Sequence, residues 1–551
     1  MPLPPRHIAL LGLLSLLPGC RSAEEWGAQA DQEVYGILAE RLAELGVQDS
    51  FTIEPPSERL RDRLLAAAEG GEGELLRLDL IDCLRVAAEN SRDWQDERER
   101  LFRVALDLTR ERYAFALQEQ GTVGATFFGI GFQDETEVEG SVVSNLNLFK
   151  LLGMGTAFTA DIGLDLIEVL GTGDVWDAVS RASLNITQPV LRGFGKDIVM
   201  EPLTQAERDV LYQARAYERF RRTFAVDVAD SFFRVLEQVD RLANEESNLV
   251  NLQRLRERNE ALAEAGRLTD IQVDQARQDE FTAEDRLVAA RRDLQAGLDG
   301  LKLLLGLPVE VELELVEGGQ RSFEAWPALA DDLPEAVALR LGLEKRLDLA
   351  TSRDRVDDAT RGVRVAADAL RMGFDLQGRV GITSSDEVGD LRLDDVSWAA
   401  GFDLDLPIER IPERNAYRAA RIDLEASRRA AEESTDRVTA ELRDALRRLD
   451  AARASYRIQS GSVVLAERRV ESAVLNLEAG RASTRDVLEA QDSLLSAQNA
   501  TAAALTDTIL AGLFLYRDME LLEVTDNGID VLRVETGAPP PPDLPPPGEL
   551  P

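Results

Sequence analysis

The sequence predicts an α+β protein built from two tandem repeats, in which short alternating strands are joined to helices of unusual length. Three observations carry that expectation. Glu264-Ala265-Gly266-Arg267-Leu268-Thr269 and Glu478-Ala479-Gly480-Arg481-Ala482-Ser483 are near copies 214 residues apart, each setting Gly-Arg between two long helical runs. Thr187-Gln188-Pro189 and Asp405-Leu406-Pro407, 218 residues apart, each close an alternating run and open a helical one. No proline falls between Pro412 and Leu477, a run on the order of 100 Å long as an α-helix. Self-similarity at a fixed spacing is the mark of a duplicated unit. The small difference in offset is absorbed if Leu191-Arg192-Gly193-Phe194-Gly195-Lys196 carries an insertion relative to the loop after Pro407.

From the N-terminus, Arg6 precedes an apolar run from Ile8 to Leu17 that ends in Leu17-Pro18-Gly19-Cys20. The run is too short to span a bilayer and has the order of a signal peptide, residues 1–19. Cys20 is then the lipidation candidate, carrying an acyl anchor such as palmitate; an ordinary signal followed by a fortuitous Cys is the plainer alternative. Residues 20–73 form an extension with an amphipathic helix before Glu54-Pro55-Pro56.

The first repeat is placed at 74–310: a helix, strands near 155–168 and 181–189, and a long helical hairpin with its tip at Gly266. The Gly-, Ser- and Asn-rich stretch 122–152 reads as an insertion ahead of the strands, extending their rim. A linker, 311–332, leads to the second repeat at 333–525, with strands near 373–384 and 396–406 and a tip at Gly480. The tail 526–551 is Pro-rich, with eight prolines from Gly537 on, and suits an extended chain.

All four strands alternate. Phe374, Leu376, Gly378, Val380 and Ile382 oppose Asp375, Gln377, Arg379, Gly381 and Thr383; Trp398, Ala400, Phe402, Leu404 and Leu406 oppose Ala399, Gly401, Asp403 and Asp405. Phe158, Ala160, Ile162, Leu164 and Leu166 oppose Thr159, Asp161, Gly163 and Asp165; Ala182, Leu184 and Ile186 oppose Ser183, Asn185 and Thr187. Runs of this length cross a bilayer as tilted barrel strands, with the polar face on a wet lumen. A soluble sheet with one wetted face gives the same pattern. In the helices a narrow stripe recurs at Val210, Ala214, Tyr217, Phe224, Val228, Val235, Val239 and Leu242, with one turn skipped at Arg221, and at Leu442, Ala445, Leu449, Ala452 and Tyr456. Steps of three and four make a coiled-coil packing seam.

Gln188-Pro189-Val190 with Arg192-Gly193, Leu406-Pro407-Ile408, and Leu477-Glu478-Ala479-Gly480-Arg481 through Asp486-Val487-Leu488-Glu489-Ala490-Gln491 together resemble the TolC-like outer-membrane efflux proteins. The likeness extends over roughly residues 75–522. It implies a trimeric twelve-stranded β-barrel in the outer membrane, four strands per chain, continuous with a coiled-coil helical tube in the periplasm. It further implies the passive export duct of a tripartite efflux or type I secretion system. Partners would be two further copies of the chain, a periplasmic adaptor (membrane fusion) protein, an inner-membrane transporter and outer-membrane lipid. A non-pore periplasmic coiled-coil lipoprotein is the competing class.

Composition bears on both classes. At 5% aromatic and 30% charged, the chain is lean for globular cores and suits extended helices. A net charge of -38 argues against nucleic acid as a partner. The only histidine, His7, lies in the signal, so the mature chain has no His-based zinc site or Ser-His-Asp triad, no cofactor is expected, and no enzyme reading has support. Besides Cys20 there is only Cys83, expected as a small buried core residue.

Two residue sets become candidate sites. Gly266, Arg267, Leu268 and Thr269, with Gly480, Arg481, Ala482 and Ser483, occupy the hairpin tips, where an adaptor would dock in this family; simple turn chemistry is the alternative. Asp486 and Glu489 match the family's acidic positions at the periplasmic aperture, where threefold repetition would form carboxylate rings. Ordinary solvated acids are the plainer account, and the first copy has Gln272 and Gln275 there. Pro189 and Pro407 are read as strand-to-helix corners.

Overall fold

The computed structural model describes residues 21–46, 51–54, 60–69, 75–132, 135–170, 177–316, 333–384, 396–406, 408–525 and 528–531. Cys20, the signal segment 1–19, Pro407 and the proline-rich part of the tail lie outside the described residues. The chain divides into two compact units, one drawn from residues 1–51, 100–215 and 351–432, the other from 52–99, 216–350 and 433–551.

The first unit holds a six-stranded sheet. Strands β2 (Gln118–Phe132), β3 (Glu135–Leu151), β4 (Ala157–Leu170), β5 (Asp177–Pro189), β7 (Gly373–Ser384) and β8 (Val396–Asp405) lie side by side in that order. Every neighbouring pair is antiparallel. Four strands per chain were expected, and the difference is β2 and β3, the stretch read as an inserted rim. Their pairing starts at the level of the other strands: one continuous row runs Gln118, Phe149, Thr159, Asn185, Arg379, Ala399 across all six.

In the same unit, α1 (Ala23–Glu44) begins with a capping box in which the Ser22 side chain accepts from Glu25 N–H and Glu25 returns to the Ser22 N–H. Its buried face, Val34, Ile37, Leu38 and Leu42, includes the neighbourhood of Tyr35, whose ring meets Phe51 at 6.5 Å and Phe102 at 5.6 Å. This gives the N-terminal extension a packing partner in α4 (Arg92–Ala114), which no motif in the sequence had indicated.

The second unit is built on helices. Two short strands, β1 (Leu76–Leu78) and β6 (Leu313–Leu315), pair in parallel, and β9 (Leu522–Thr525) pairs antiparallel with β10 (Gly528–Val531). Around them pack α2 (Leu60–Glu69), α3 (Leu80–Asn90), α7 (Asp270–Leu304), α8 (Glu335–Lys345) and α11 (Thr484–Asp518), together with most of α6 (Glu201–Glu264) and of α10 (Ile411–Glu478). The remaining helices are α5 (Lys196–Val199) and α9 (Leu347–Asp368). At 64 and 68 residues, α6 and α10 extend about 96 and 102 Å. Their stripes are buried from Val210 to Val235 and at Leu442, Ala445 and Leu449, whereas Val239 is exposed. The skipped turn at Arg221 is itself buried: Arg221 donates to Glu218 at 3.1 Å and to the Val524 carbonyl at 3.2 Å. Cys83 lies fully inside the core, and burial pushes its thiol up to about 12. Among the described residues no helix is long and apolar enough to cross a membrane.

Candidate functional site

Alternate residues of a strand face opposite sides of a sheet, and partners in register share a side. Followed through the strand pairings, one side of the six-stranded sheet collects Val123, Leu146, Ile162, Leu164, Leu184, Ile186, Leu376, Val380, Trp398, Phe402 and Leu404, with Glu119, Ser144, Ser180 and Ser384 among them. Trp398 is 78% exposed, and Val123 and Phe402 are 68% exposed. Single exposed apolar residues are ordinary, but a continuous apolar face marks an interface with lipid or protein. The other side carries Gln120, Thr122, Asn145, Asn147, Thr159, Asp161, Asp165, Arg181, Ser183, Asn185, Arg379 and Asp403. There Arg181 pairs with Asp165 at 2.5 Å, and Ser183 and Asn185 donate to Asp161 at 3.3 and 3.2 Å.

Below the sheet the chain turns into helix through a polar latch. Pro189 is the last residue of β5, and the next N–H, that of Val190, donates to the Phe374 carbonyl at 2.8 Å. Asp368, buried at the end of α9, accepts from Gly193 N–H at 2.7 Å and from Arg371 at 3.0 Å. Arg192 pairs with Asp405 at 2.7 Å. Both members of the Arg192-Gly193 pair are thus spent on fixing the strand-to-helix loop.

The hairpin tips are nearly superimposable in their local chemistry. Gly266 and Gly480 take φ of +69° and +70°, the left-handed region where a Cβ is costly. Arg267 N–H donates to Leu262 and Gly266 N–H to Ala263, both at 2.8 Å; Arg481 N–H donates to Asn476 at 2.8 Å and Gly480 N–H to Leu477 at 3.0 Å. This is the Schellman ending, which satisfies the last helical carbonyls. The next helix of each pair starts at once: Thr269 N–H donates to Gln272 Oε1 at 3.2 Å and Ser483 N–H to Asp486 Oδ2 at 2.7 Å. Arg267 and Arg481 are exposed, whereas Leu268, Ala482 and Ser483 are half-buried.

The structure brings the two tips together. Asn259 donates to Thr484 at 3.2 Å, Arg258 pairs with Glu478 at 3.3 Å, and Leu255, Leu477 and Val487 pack as a small apolar cluster. The acidic candidates are both engaged within the chain. The N–H and hydroxyl of Ser483 hold the Asp486 carboxyl below its ordinary range, the backbone bond first. Glu489 accepts from Arg485 at 3.1 Å, one turn earlier, and lies 4.0 Å from Arg469.

Sequence reasoning missed a buried ionic cluster. Glu520, only 3% exposed, receives Arg219 at 2.6 Å and also Arg222, which pairs in turn with Glu218 at 3.0 Å. Burial pushes Glu218 up against the pull of Arg221 and Arg222. Paired charges cost little inside a protein only when each finds its partner, and nothing in the order of the residues brings Glu520 to Arg219.

A six-stranded antiparallel sheet with one largely apolar side, in a chain that also has helices of 64 and 68 residues, suits an outer-membrane channel. The chain belongs to the outer membrane efflux protein family: the family profile matches residues 181–307 and 338–517, more than half of the sequence. No curated protein matches the chain in sequence. Three solved structures share its fold at low identity. CusC aligns with a TM-score of 0.60 and 16% identity, over 80% of this chain and 91% of its own. VceC of Vibrio cholerae, an outer membrane protein, aligns at 0.57 and 15%, over 80% and 95%. The CmeC outer membrane channel of Campylobacter jejuni aligns at 0.58 and 15%, over 80% and 85%.

Proposed function

We propose that this protein is a trimeric outer-membrane export duct, the passive component of a tripartite efflux or type I secretion assembly. Three copies close their sheets into one barrel, the apolar face in lipid and the polar face around water, and the helical hairpins form a tube in the periplasm. The reading is supported above all by the predominantly apolar face that includes Leu146, Ile162, Leu184, Val380 and Trp398, opposite a face bearing Asp161, Asp165, Arg181 and Arg379. Charged side chains are unremarkable on a wet lumen and expensive in hydrocarbon. Energy comes from an inner-membrane transporter, reached through an adaptor that contacts the tips at Gly266-Arg267-Leu268-Thr269 and Gly480-Arg481-Ala482-Ser483. Cys20, acylated, anchors the mature N-terminus. Asp486 and Glu489, repeated threefold, form the carboxylate rings of the aperture.

Single-channel recording in planar bilayers tests the duct and the aperture together. The wild-type chain is compared with Asp486→Ala/Glu489→Ala and with Ser483→Ala, which disturbs the cap but leaves every charge. Cation-selective current, weakened in selectivity by the double variant alone, is the expected result. Equal selectivity in all three removes the carboxylate rings from the proposal; a protein recovered as a detergent-free monomer removes the duct.

A further inference from the structure

The extra hairpin changes the size of the barrel. We propose that β2 and β3 are wall strands, so that three chains close eighteen strands rather than twelve, with β2 of one copy pairing to β8 of the next; this rests on the trimeric duct reading above.

Three observations support wall over rim. First, the pairing of β2 with β3 begins at Gln118, in the same row as Thr159, Asn185 and Arg379, and continues upward without interruption to Phe132. A rim hairpin would start where the other strands end. Second, the division of faces carries into the added strands, with Glu119, at the foot of β2 in the row of Leu148, Leu184 and Trp398, and Ser144, beside Val123, among the polar residues they place on the apolar side. The row Gly121, Leu146, Ile162, Ala182, Ile382, Val396 is free of polar side chains, and the adjacent row Thr122, Asn145, Gly163, Arg181, Thr383 is polar wherever it has a functional group. Third, β2 and β8 are the two edges of the sheet. An unpaired edge in hydrocarbon leaves every outward-pointing N–H and C=O unsatisfied at several kcal/mol each. With six alternating strands, β8 runs opposite to β2, so copies related by rotation about the barrel axis meet edge to edge in the antiparallel sense that every other pair here uses.

Strands about 4.8 Å apart and tilted about 40° form a cylinder about 24 Å across with twelve strands and about 36 Å across with eighteen. The added width surrounds more water, not more side-chain packing, because the inward positions on β2 are Gln120 and Thr122, not bulky apolar residues. The membrane segment would then pass hydrated solutes much broader than a twelve-stranded wall admits.

The test is lipid-phase quenching of a polarity-sensitive fluorophore. The label is placed at Val123→Cys, Thr122→Cys, Leu184→Cys or Ser183→Cys, with Cys20 and Cys83 replaced by Ser, in vesicles with and without nitroxide-labelled phospholipid. Loss of fluorescence at Val123→Cys equal to that at Leu184→Cys, with none at Thr122→Cys or Ser183→Cys, is the expected result. Quenching at Leu184→Cys but not at Val123→Cys overturns the eighteen-stranded wall and leaves the duct standing. Quenching at neither overturns the membrane barrel itself. Independently, Thr122→Cys combined in turn with Ser397→Cys, Ala399→Cys or Gly401→Cys should yield a covalent trimer on oxidation for at least one pairing; monomers throughout the panel overturn the β2 to β8 closure.

Discussion

An arginine introduced on each side of one strand separates a membrane wall from a soluble sheet. Leu184 lies mid-strand on the apolar face, paired with Ala160 and Val380, and is 42% exposed in the single chain. If that face meets lipid near the bilayer midplane, Leu184→Arg costs about 2–4 kcal/mol, or about 30- to 700-fold in the folding equilibrium. Ser183, the next residue, points to the other side, where its hydroxyl lies 3.3 Å from Asp161. An arginine there gains a carboxylate partner in the way Arg181 has gained Asp165, so Ser183→Arg should cost less than about 1 kcal/mol. Urea titration of the protein folded into phospholipid vesicles, followed by tryptophan fluorescence, measures both. A soluble sheet would tolerate arginine at an exposed Leu184 within about 0.5 kcal/mol. Equal costs for the two variants, or a larger cost at Ser183, would refute the assignment of faces.

Three further expectations concern the helical unit. Glu520→Ala strands Arg219 and Arg222 in a buried site and should cost about 3 kcal/mol, the low end for breaking a buried pair, since Arg222 keeps Glu218 and Arg219 keeps Asp348 at 3.5 Å. Because Glu520 itself has φ of +57°, Glu520→Gly should be less harmful than Ala by about 1 kcal/mol; thermal melts of the two variants decide. Gly480→Ala and Gly266→Ala, at φ near +70°, should each loosen their tip by about 1 kcal/mol, seen as faster amide exchange around the turn with the sheet unaffected. The Asp486 carboxyl is lower in the folded chain than in the unfolded one, so the unfolded form takes up the proton first. Its contribution is complete above the ordinary value near about 4 and is lost as pH falls through the lower folded value, which amide exchange at residues 484–490 should register in wild type but not in Asp486→Ala.

How much of this was legible in the sequence depends on side-chain contrast. In β7 and β8 large apolar residues such as Leu376, Val380, Trp398 and Phe402 stand against Arg379 and Asp403, and a period of two is plain. In β2 the corresponding set is Gly121, Val123 and Ala125 against Gln120, Thr122 and Gly124, which differ little in size or polarity, so the strand reads as a Gly-rich insertion. Asn145-Leu146-Asn147-Leu148 in β3 was the available signal. Its alternation matches that of β4, but one short run next to glycines and serines does not reveal a hairpin. The stripe of α6 was legible because Val210, Tyr217, Phe224 and Val228 are all apolar; the buried Arg221 breaks the pattern because its partners, Glu218 and the Val524 carbonyl, include one 303 residues away. Local periodicity reports local faces, and ion pairs across long loops leave no trace in it.

The two tips also separate what the turn needs from what a pore would need. A reciprocal cap requires an acceptor three residues into the helix, and in the first copy a carboxamide, Gln272, suffices: its Oε1 accepts from Thr269 N–H at 3.2 Å. Asp486 fills the same place in the second copy with a charge that the cap does not demand. Asp486→Asn keeps an acceptor of the same length and removes only the charge, so the tip should retain its amide-exchange protection while cation selectivity in planar bilayers falls. Asp486→Ala should lose both. If Asp486→Asn leaves selectivity at the wild-type level, the carboxylate serves the turn alone and the aperture charge lies elsewhere. If it loosens the tip as much as alanine does, the turn depends on the ionised group, and the first copy, which closes on a neutral side chain, becomes the tip needing explanation.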